Sequence, residues 1–135
     1  MIKITAGPYT FKAELQTNLA PKTCAEFLKL LPFKQKLIQA RWSGQTGWIP
    51  LGDMKIDVGP ENQTSTPLAG QILFYPGGIS ETEILFPYGK TIFACKDGII
   101  EGNYFLKITE GNQFLEKIGE LVLWNGAQDI LFERL

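Results

Sequence analysis

The chain has 135 residues, 44% of them hydrophobic, 20% charged and 12% aromatic, which fits one globular domain over residues 1–135 with a core of its own. Thirteen Lys+Arg against 14 Asp+Glu leave a net charge of −1, so no basic surplus points to nucleic acid or an anionic membrane. Histidine is absent, which excludes Ser/His/Asp and Cys/His nucleophilic sites and almost all zinc sites.

The first segment, residues 2–5, alternates apolar and polar side chains. A second alternates for longer, with Tyr9, Phe11, Ala13 and Leu15 on one face and Thr10, Lys12, Glu14 and Gln16 on the other. Both predict strands with one buried face, turned at Gly7-Pro8. The period then changes: Cys24, Phe27, Leu28 and Leu31 make a helical stripe. Pro21 suits its first turn, Thr23 and Glu26 offer a capping box two residues later, and Pro32 is expected to end it.

Alternation returns over residues 36–43, with Ile38, Ala40 and Trp42 expected inward and Gln39, Arg41 and Ser43 outward. Residues 44–70 are rich in turn formers and read as irregular. Residues 71–75, 83–88, 91–95 and 104–109 are further strand candidates, separated by Pro76-Gly77-Gly78, Gly89 and Asp97-Gly98. Phe114, Leu115, Ile118, Leu121 and Val122 form a second helical stripe with Asn112 as its expected N-cap. Residues 129–134 close the chain as a strand. Many short strands with only two helices predict a mainly β fold, a mostly antiparallel barrel whose open ends the helices plug.

The start carries no charged stretch followed by an apolar one, so no signal peptide is expected and a cytoplasmic location follows. No run reaches the roughly 18 apolar residues of a membrane helix. Cys24 and Cys95 read as small hydrophobes rather than a disulfide.

Leu19-Ala20-Pro21-Lys22-Thr23-Cys24-Ala25-Glu26-Phe27, following a strand, resembles the cyclophilin segment in which a Pro-Lys-Thr turn opens the first helix. A group of bacterial and archaeal cyclophilin-like proteins of unknown function is more similar still. The similarity lies in Ala40-Arg41-Trp42-Ser43-Gly44, Tyr75-Pro76-Gly77-Gly78, Glu83-Ile84-Leu85, Pro87-Tyr88-Gly89, Gly102-Asn103-Tyr104-Phe105 and Leu123-Trp124-Asn125-Gly126-Ala127, in that order. The resemblance implies a cyclophilin-like closed eight-stranded antiparallel barrel capped by two α-helices. The Phe-His-Arg and Gln-Gly-Gly-Asp-Phe stretches of catalytic cyclophilins are missing, and only Arg41 falls near the position of their catalytic arginine.

Candidate ligand-binding residues are Arg41, Trp42, Ser43, Trp48, Glu83, Tyr88 and Asn103. Arg41 offers a planar fork of donors for a carboxylate or an amide carbonyl, against the alternative of a solvated or ion-paired side chain. In a prolyl isomerase such a donor could stabilise the twisted amide, whose rotation barrier is about 18–20 kcal/mol. Trp42, Trp48 and Tyr88 could line an aromatic pocket or belong to the core, and Trp48 stands out for lying in the turn-rich stretch. Glu81 and Glu83 share a strand face if the strand begins there; paired carboxylates can raise one pKa and supply an acid or base, or simply be solvated. Asp53, Asp57 and Glu61 do not follow a calcium-loop spacing, so no metal is expected, and no cofactor motif occurs. Asn103 could donate into a cleft or end the preceding hairpin.

Three functions follow as expectations. The first is a protein binding a small carboxylate-bearing or peptide-like ligand in an outer-face cleft around Arg41, with or without catalysis. The second is a divergent peptidyl-prolyl cis-trans isomerase using Arg41, and the third a non-catalytic barrel that assembles with its own copies. The partners expected are a small molecule or peptide, with a homo-oligomer left open and neither nucleic acid nor membrane involved.

Overall fold

The computed structural model describes residues 1–135. Eleven strands form in chain order: β1 (Ile2–Ala6), β2 (Tyr9–Leu15), β3 (Phe33–Gln39), β4 (Gly44–Gly52), β5 (Gln63–Thr64), β6 (Gln71–Tyr75), β7 (Thr82–Thr91), β8 (Ala94–Cys95), β9 (Gly98–Ile99), β10 (Gly102–Glu110) and β11 (Gln128–Arg134). Helix α1 (Pro21–Leu28) lies between β2 and β3, and α2 (Leu115–Asn125) between β10 and β11.

Eight strands close a barrel in the order β2-β1-β11-β3-β4-β7-β6-β10, with β10 returning to pair with β2. Every pairing is antiparallel. Closure leaves no edge among these eight strands, and only short β5 is added beside β10. The inward side chains of alternating residues fill the barrel: Ile2, Ile4, Phe11, Ala13, Ile49, Ile72, Phe74, Ile84, Phe86, Phe105, Ile130 and Phe132. Both helices add to this core. Cys24 and Phe27 enter it from α1, and Leu115, Ile118 and Val122 from α2. Phe27 meets Phe105 and Phe132 edge-on at 4.9 and 5.3 Å, an arrangement that places positive ring edges on negative faces.

Helix α1 starts at Pro21 and ends at Leu28, short of Pro32, and Thr23 and Glu26 form no capping box. Its free N–H groups find a distant carboxylate instead. Glu61 accepts from Lys22 N–H at 3.1 Å, from Thr23 N–H at 2.7 Å and from the Thr23 hydroxyl at 2.8 Å. Burial pushes the Glu61 pKa up, but the Thr23 donors, the Lys22 N–H and the Lys22 ammonium together hold it below the usual carboxylate value. At α2 the expected cap is also replaced: Asn112 sits in a 3-10 turn (Asn112–Phe114), and its amide donates back to the Ile108 carbonyl at 3.4 Å.

The third strand needs a correction of both bounds and facing. It runs Phe33–Gln39, with Phe33 and Leu37 buried in the core, so Ile38 lies on the outer face. The next residues, Arg41–Ser43, form a 3-10 turn in which Arg41 and Trp42 are exposed and Ser43 is buried. The turn-rich stretch also hides a full barrel strand, β4, which pairs with β3 and β7. One register shift precedes Thr46 and another follows Pro50, where bulges accommodate residues that weaken a ladder. Gly47 in this strand faces Leu37 so closely that an added Cβ would stand 2.6 Å from the leucine side chain.

The outer face of β4, β7 and β6 is not left to solvent. Leu73, Tyr75 and Leu85 point outward and pack with Phe93 and Ile100 into a second, smaller core, with Trp48, Cys95 and Tyr104 at its margin. Phe93 and Ile100 flank the β8–β9 hairpin, which is thereby folded back across the barrel wall. Cys24 and Cys95 are both free thiols. No helix is long and apolar enough to cross a membrane.

Candidate functional site

Between the hairpin and the barrel wall lies a cleft of about 590 Å³. Antiparallel register builds its floor. Glu83 on β7 stands opposite Pro50 of β4 and Tyr75 of β6, and Leu85 opposite Trp48. Because alternate residues share a face, Trp48 and Glu83 both emerge on the outer side, while Ile49 and Ile84 enter the core. Trp42, Ala94, Cys95, Lys96 and Asp97 close one side, and Ile79, Ser80 and Glu81 the other.

Trp42 and Trp48 meet edge-to-face at 5.5 Å and 75°. Trp42 is 55% exposed, so its ring forms the rim, whereas Trp48 is mostly covered. The Trp48 Nε1–H is sealed from solvent and has no acceptor within the chain. A buried unpaired donor costs about 1–3 kcal/mol, so this wall carries unspent hydrogen-bonding capacity.

Glu83 is the chemical centre of the cleft. The residue is 5% exposed, yet its carboxyl takes part in no ion pair. Only the Trp48 nitrogen is both sealed and unpartnered, so the Glu83 oxygens open onto the cleft. Burial pushes its pKa up to about 7, and the Glu81 carboxylate beside it pushes the same way. Near neutral pH the group is therefore divided between an acid that can donate and a carboxylate that can accept. Three acids, Glu81, Glu83 and Asp97, line the cleft against one lysine, Lys96.

The remaining candidates sit elsewhere. Arg41 lines a separate recess of about 210 Å³ with Gln39, Gln45, Tyr88, Glu120 and Leu123, and is not part of the outer-face cleft. Tyr88 donates its hydroxyl to Gln39 Oε1 at 2.6 Å, and its ring lies against Gly119 of α2, where no Cβ would fit. Ser43 is buried: its hydroxyl donates to the Ala94 carbonyl at 3.2 Å and accepts the Ala94 N–H at 3.0 Å. It pins the hairpin rather than facing a ligand. Asn103 is spent on internal bonds, accepting from Glu61 N–H at 3.1 Å and donating to Thr23 Oγ1 and the Gly59 carbonyl, each at 3.0 Å. Asp53 and Asp57 line a shallow depression next to the cleft, without Glu61.

Of seven expected site residues, three converge: Trp42, Trp48 and Glu83. Glu81, Cys95, Lys96 and Asp97 join them, although only the Glu81–Glu83 spacing marked any of these in the sequence.

The model of a family described as proteins of unknown function (DUF3830) matches residues 2–133. The chain belongs to this family. No curated protein matches it. Among solved structures, the barrel is similar to McbB, determined in complex with tryptophan, with a TM-score of 0.77 and 15% identity. That match covers 99% of this chain but 44% of McbB, so the DUF3830 chain spans less than half the length of that neighbour. The hypothetical protein AF2241 from Archaeoglobus fulgidus aligns with a TM-score of 0.62 and 19% identity, over 99% of this chain and 93% of that one. At these identities the likeness concerns the fold.

Proposed function

We propose that this DUF3830 protein binds a small ligand in the outer-face cleft, through an apolar, flat body laid against Trp42 and Trp48 and a cationic or hydrogen-donating group directed at Glu83. The observation that carries this reading is a carboxyl group held in an apolar wall without an internal partner. Burial raises the cost of charge on this carboxyl, and an incoming donor or cation supplies the stabilisation its own chain does not. A cation supplies more, since it meets three acids lining the cleft and the negative face of an exposed indole.

The ligand class thereby shifts from the one the sequence suggested. A carboxylate-bearing molecule relied on Arg41, which lies in another recess, while the cleft itself is acidic. A peptide remains compatible through its N–H groups or a lysine-like side chain. The fold neighbour McbB, solved with tryptophan, offers an example of an ammonium joined to a flat aromatic body. The cyclophilin-like character of the barrel belongs to this same proposal, supported by element order and by a cleft on the outer wall. The isomerase role of Arg41 gains no support from its position.

Phenethylamine and phenylacetate share size and shape but carry opposite charge, which makes them a paired test. The three tryptophans give three indole N–H resonances in a 1H–15N spectrum. At pH 8, phenethylamine is expected to shift the Trp42 and Trp48 signals and to leave Trp124 unmoved, with phenylacetate at least tenfold weaker. Glu83→Gln is expected to remove that preference. Equal shifts by both compounds, or shifts confined to Trp124, would overturn the reading.

A further inference from the structure

We infer that Glu83 is a catalytic general base: the cleft can take a proton from an activated C–H bond on a flat, apolar substrate. This rests on the binding reading above, because the reacting C–H must sit where a bound donor would. Three features of the cleft support it.

First, the carboxyl is held from β7 between Pro50 and Tyr75, so its position is set by barrel register rather than by a mobile loop. A base on a rigid strand keeps its geometry from one turnover to the next. Second, the carboxyl is engaged in no ion pair with its own chain. Tyr75 opposite Glu83 accepts the N–H groups of Ile79 and Ser80 at its hydroxyl oxygen, at 3.0 and 3.3 Å, which anchors the loop that brings Glu81 to the cleft. Thr82 gives its hydroxyl to the Met54 carbonyl at 2.7 Å. A carboxylate held in a half-apolar wall is a stronger base than one in solution. Third, the cleft supplies both a stacking surface, Trp48 and Trp42, and a cation, Lys96, for charge that develops on the substrate as the proton leaves.

The charged and titratable groups facing Glu83 are few. Glu81 comes from the preceding loop and Cys95, Lys96 and Asp97 from the hairpin, while β4 and β6 contribute only Tyr75. Asp53, Lys55 and Asp57 lie in the adjoining depression. Burial and Glu81 raise the carboxyl's pKa towards neutrality, where a general base is most effective.

A substrate that needs only a base isolates the step. In 5-nitrobenzisoxazole, Glu83 takes the C3 proton. The C–H electron pair becomes part of the new nitrile, and the N–O bond breaks with its pair left on oxygen as a phenolate. All atoms stay in the product except the proton, which the carboxyl passes to water at the open mouth, so no oxidant or co-reactant is required.

The experiment follows phenolate release against pH while the indole N–H signals report binding. Turnover is expected to rise sigmoidally with a midpoint near 7. It should fall at least about a hundredfold in Glu83→Gln, in keeping with the usual contribution of a positioned base. Glu81→Gln is expected to lower the midpoint, which a merely structural role for Glu83 would not produce. The amide spectrum of each variant shows whether it remains folded. Shifts at Trp42 and Trp48 without turnover above Glu83→Gln would overturn the proton-transfer proposal and leave binding standing. Undiminished turnover in Glu83→Gln would overturn it by placing the base elsewhere. Neither shifts nor turnover would overturn both readings.

Discussion

A carboxyl group buried without a partner favours its neutral form, and this gives Glu83 a thermodynamic signature independent of any ligand. Its pKa stands at about 7 in the folded chain against an ordinary value of 4.5. Between those two values the folded state binds more protons than the unfolded one, so stability falls as pH rises through that window and is flat above it. The full interval corresponds to about 3 kcal/mol. Replacing Glu83 by the uncharged Gln removes the penalty. Urea unfolding is expected to show the Glu83→Gln variant near wild type at pH 4 and more stable at pH 8, by up to about 3 kcal/mol. A difference between the two proteins that stays constant with pH would contradict the assignment. Glu61 behaves oppositely. Its depressed pKa means that its contribution is present above the ordinary carboxylate value and is lost as pH falls through the folded one.

At the scale of elements, Glu61 replaces a local cap. Helix α1 has no side-chain N-cap of its own, and the side-chain groups that close its first turn are Glu61 and, through Thr23, Asn103. Glu61→Gln keeps the shape and removes the charge that favours a helix N-terminus. It is expected to destabilise the protein by about 1–2 kcal/mol at pH 7 and by less at pH 3, checked by thermal unfolding at the two values. Strands with one wet face were legible in the sequence: β2 shows it in Phe11 and Ala13, separated by Lys12, and β11 in Ile130 and Phe132, bracketed by the charged Asp129 and Glu133. β4 was not, because Gly44, Gly47, Pro50 and Gly52 are all poor strand formers, tolerated here by bulges and by the close approach of Leu37. The facing of β3 was misread for a different reason. The expected stripe of Ile38, Ala40 and Trp42 runs past the end of the strand at Gln39 into the 3-10 turn, while Phe33 and Leu37, which fill the core, lie on the other face from Ile38.

At the scale of the molecule, the cleft exists because one barrel carries two cores. The inner core closes the eight-stranded wall, and the outer one, built from Leu73, Tyr75, Leu85, Phe93 and Ile100, folds a hairpin back over it. Trp48 and Glu83 come from different strands and meet only through register, and Cys95, Lys96 and Asp97 arrive from the far side of the hairpin. Residue types and local spacing marked Trp48 as out of place in a turn-rich stretch and paired Glu81 with Glu83. They marked the Asp97-Gly98 turn of the hairpin but not where the hairpin lies, which depends on Phe93 and Ile100 finding the outer wall. Arg41 illustrates the converse: chemically the most suggestive residue in the sequence, it is separated from the cleft by the turn that exposes it. The account therefore turns on a single group. Its most direct test is a 13C NMR titration of the Glu83 side-chain carboxyl, alone and with saturating phenethylamine. A midpoint near 7 that moves downward when the amine is added is the expected result, since a nearby cation favours the carboxylate. A midpoint at the ordinary glutamate value of about 4.3, unmoved by the amine, would contradict it.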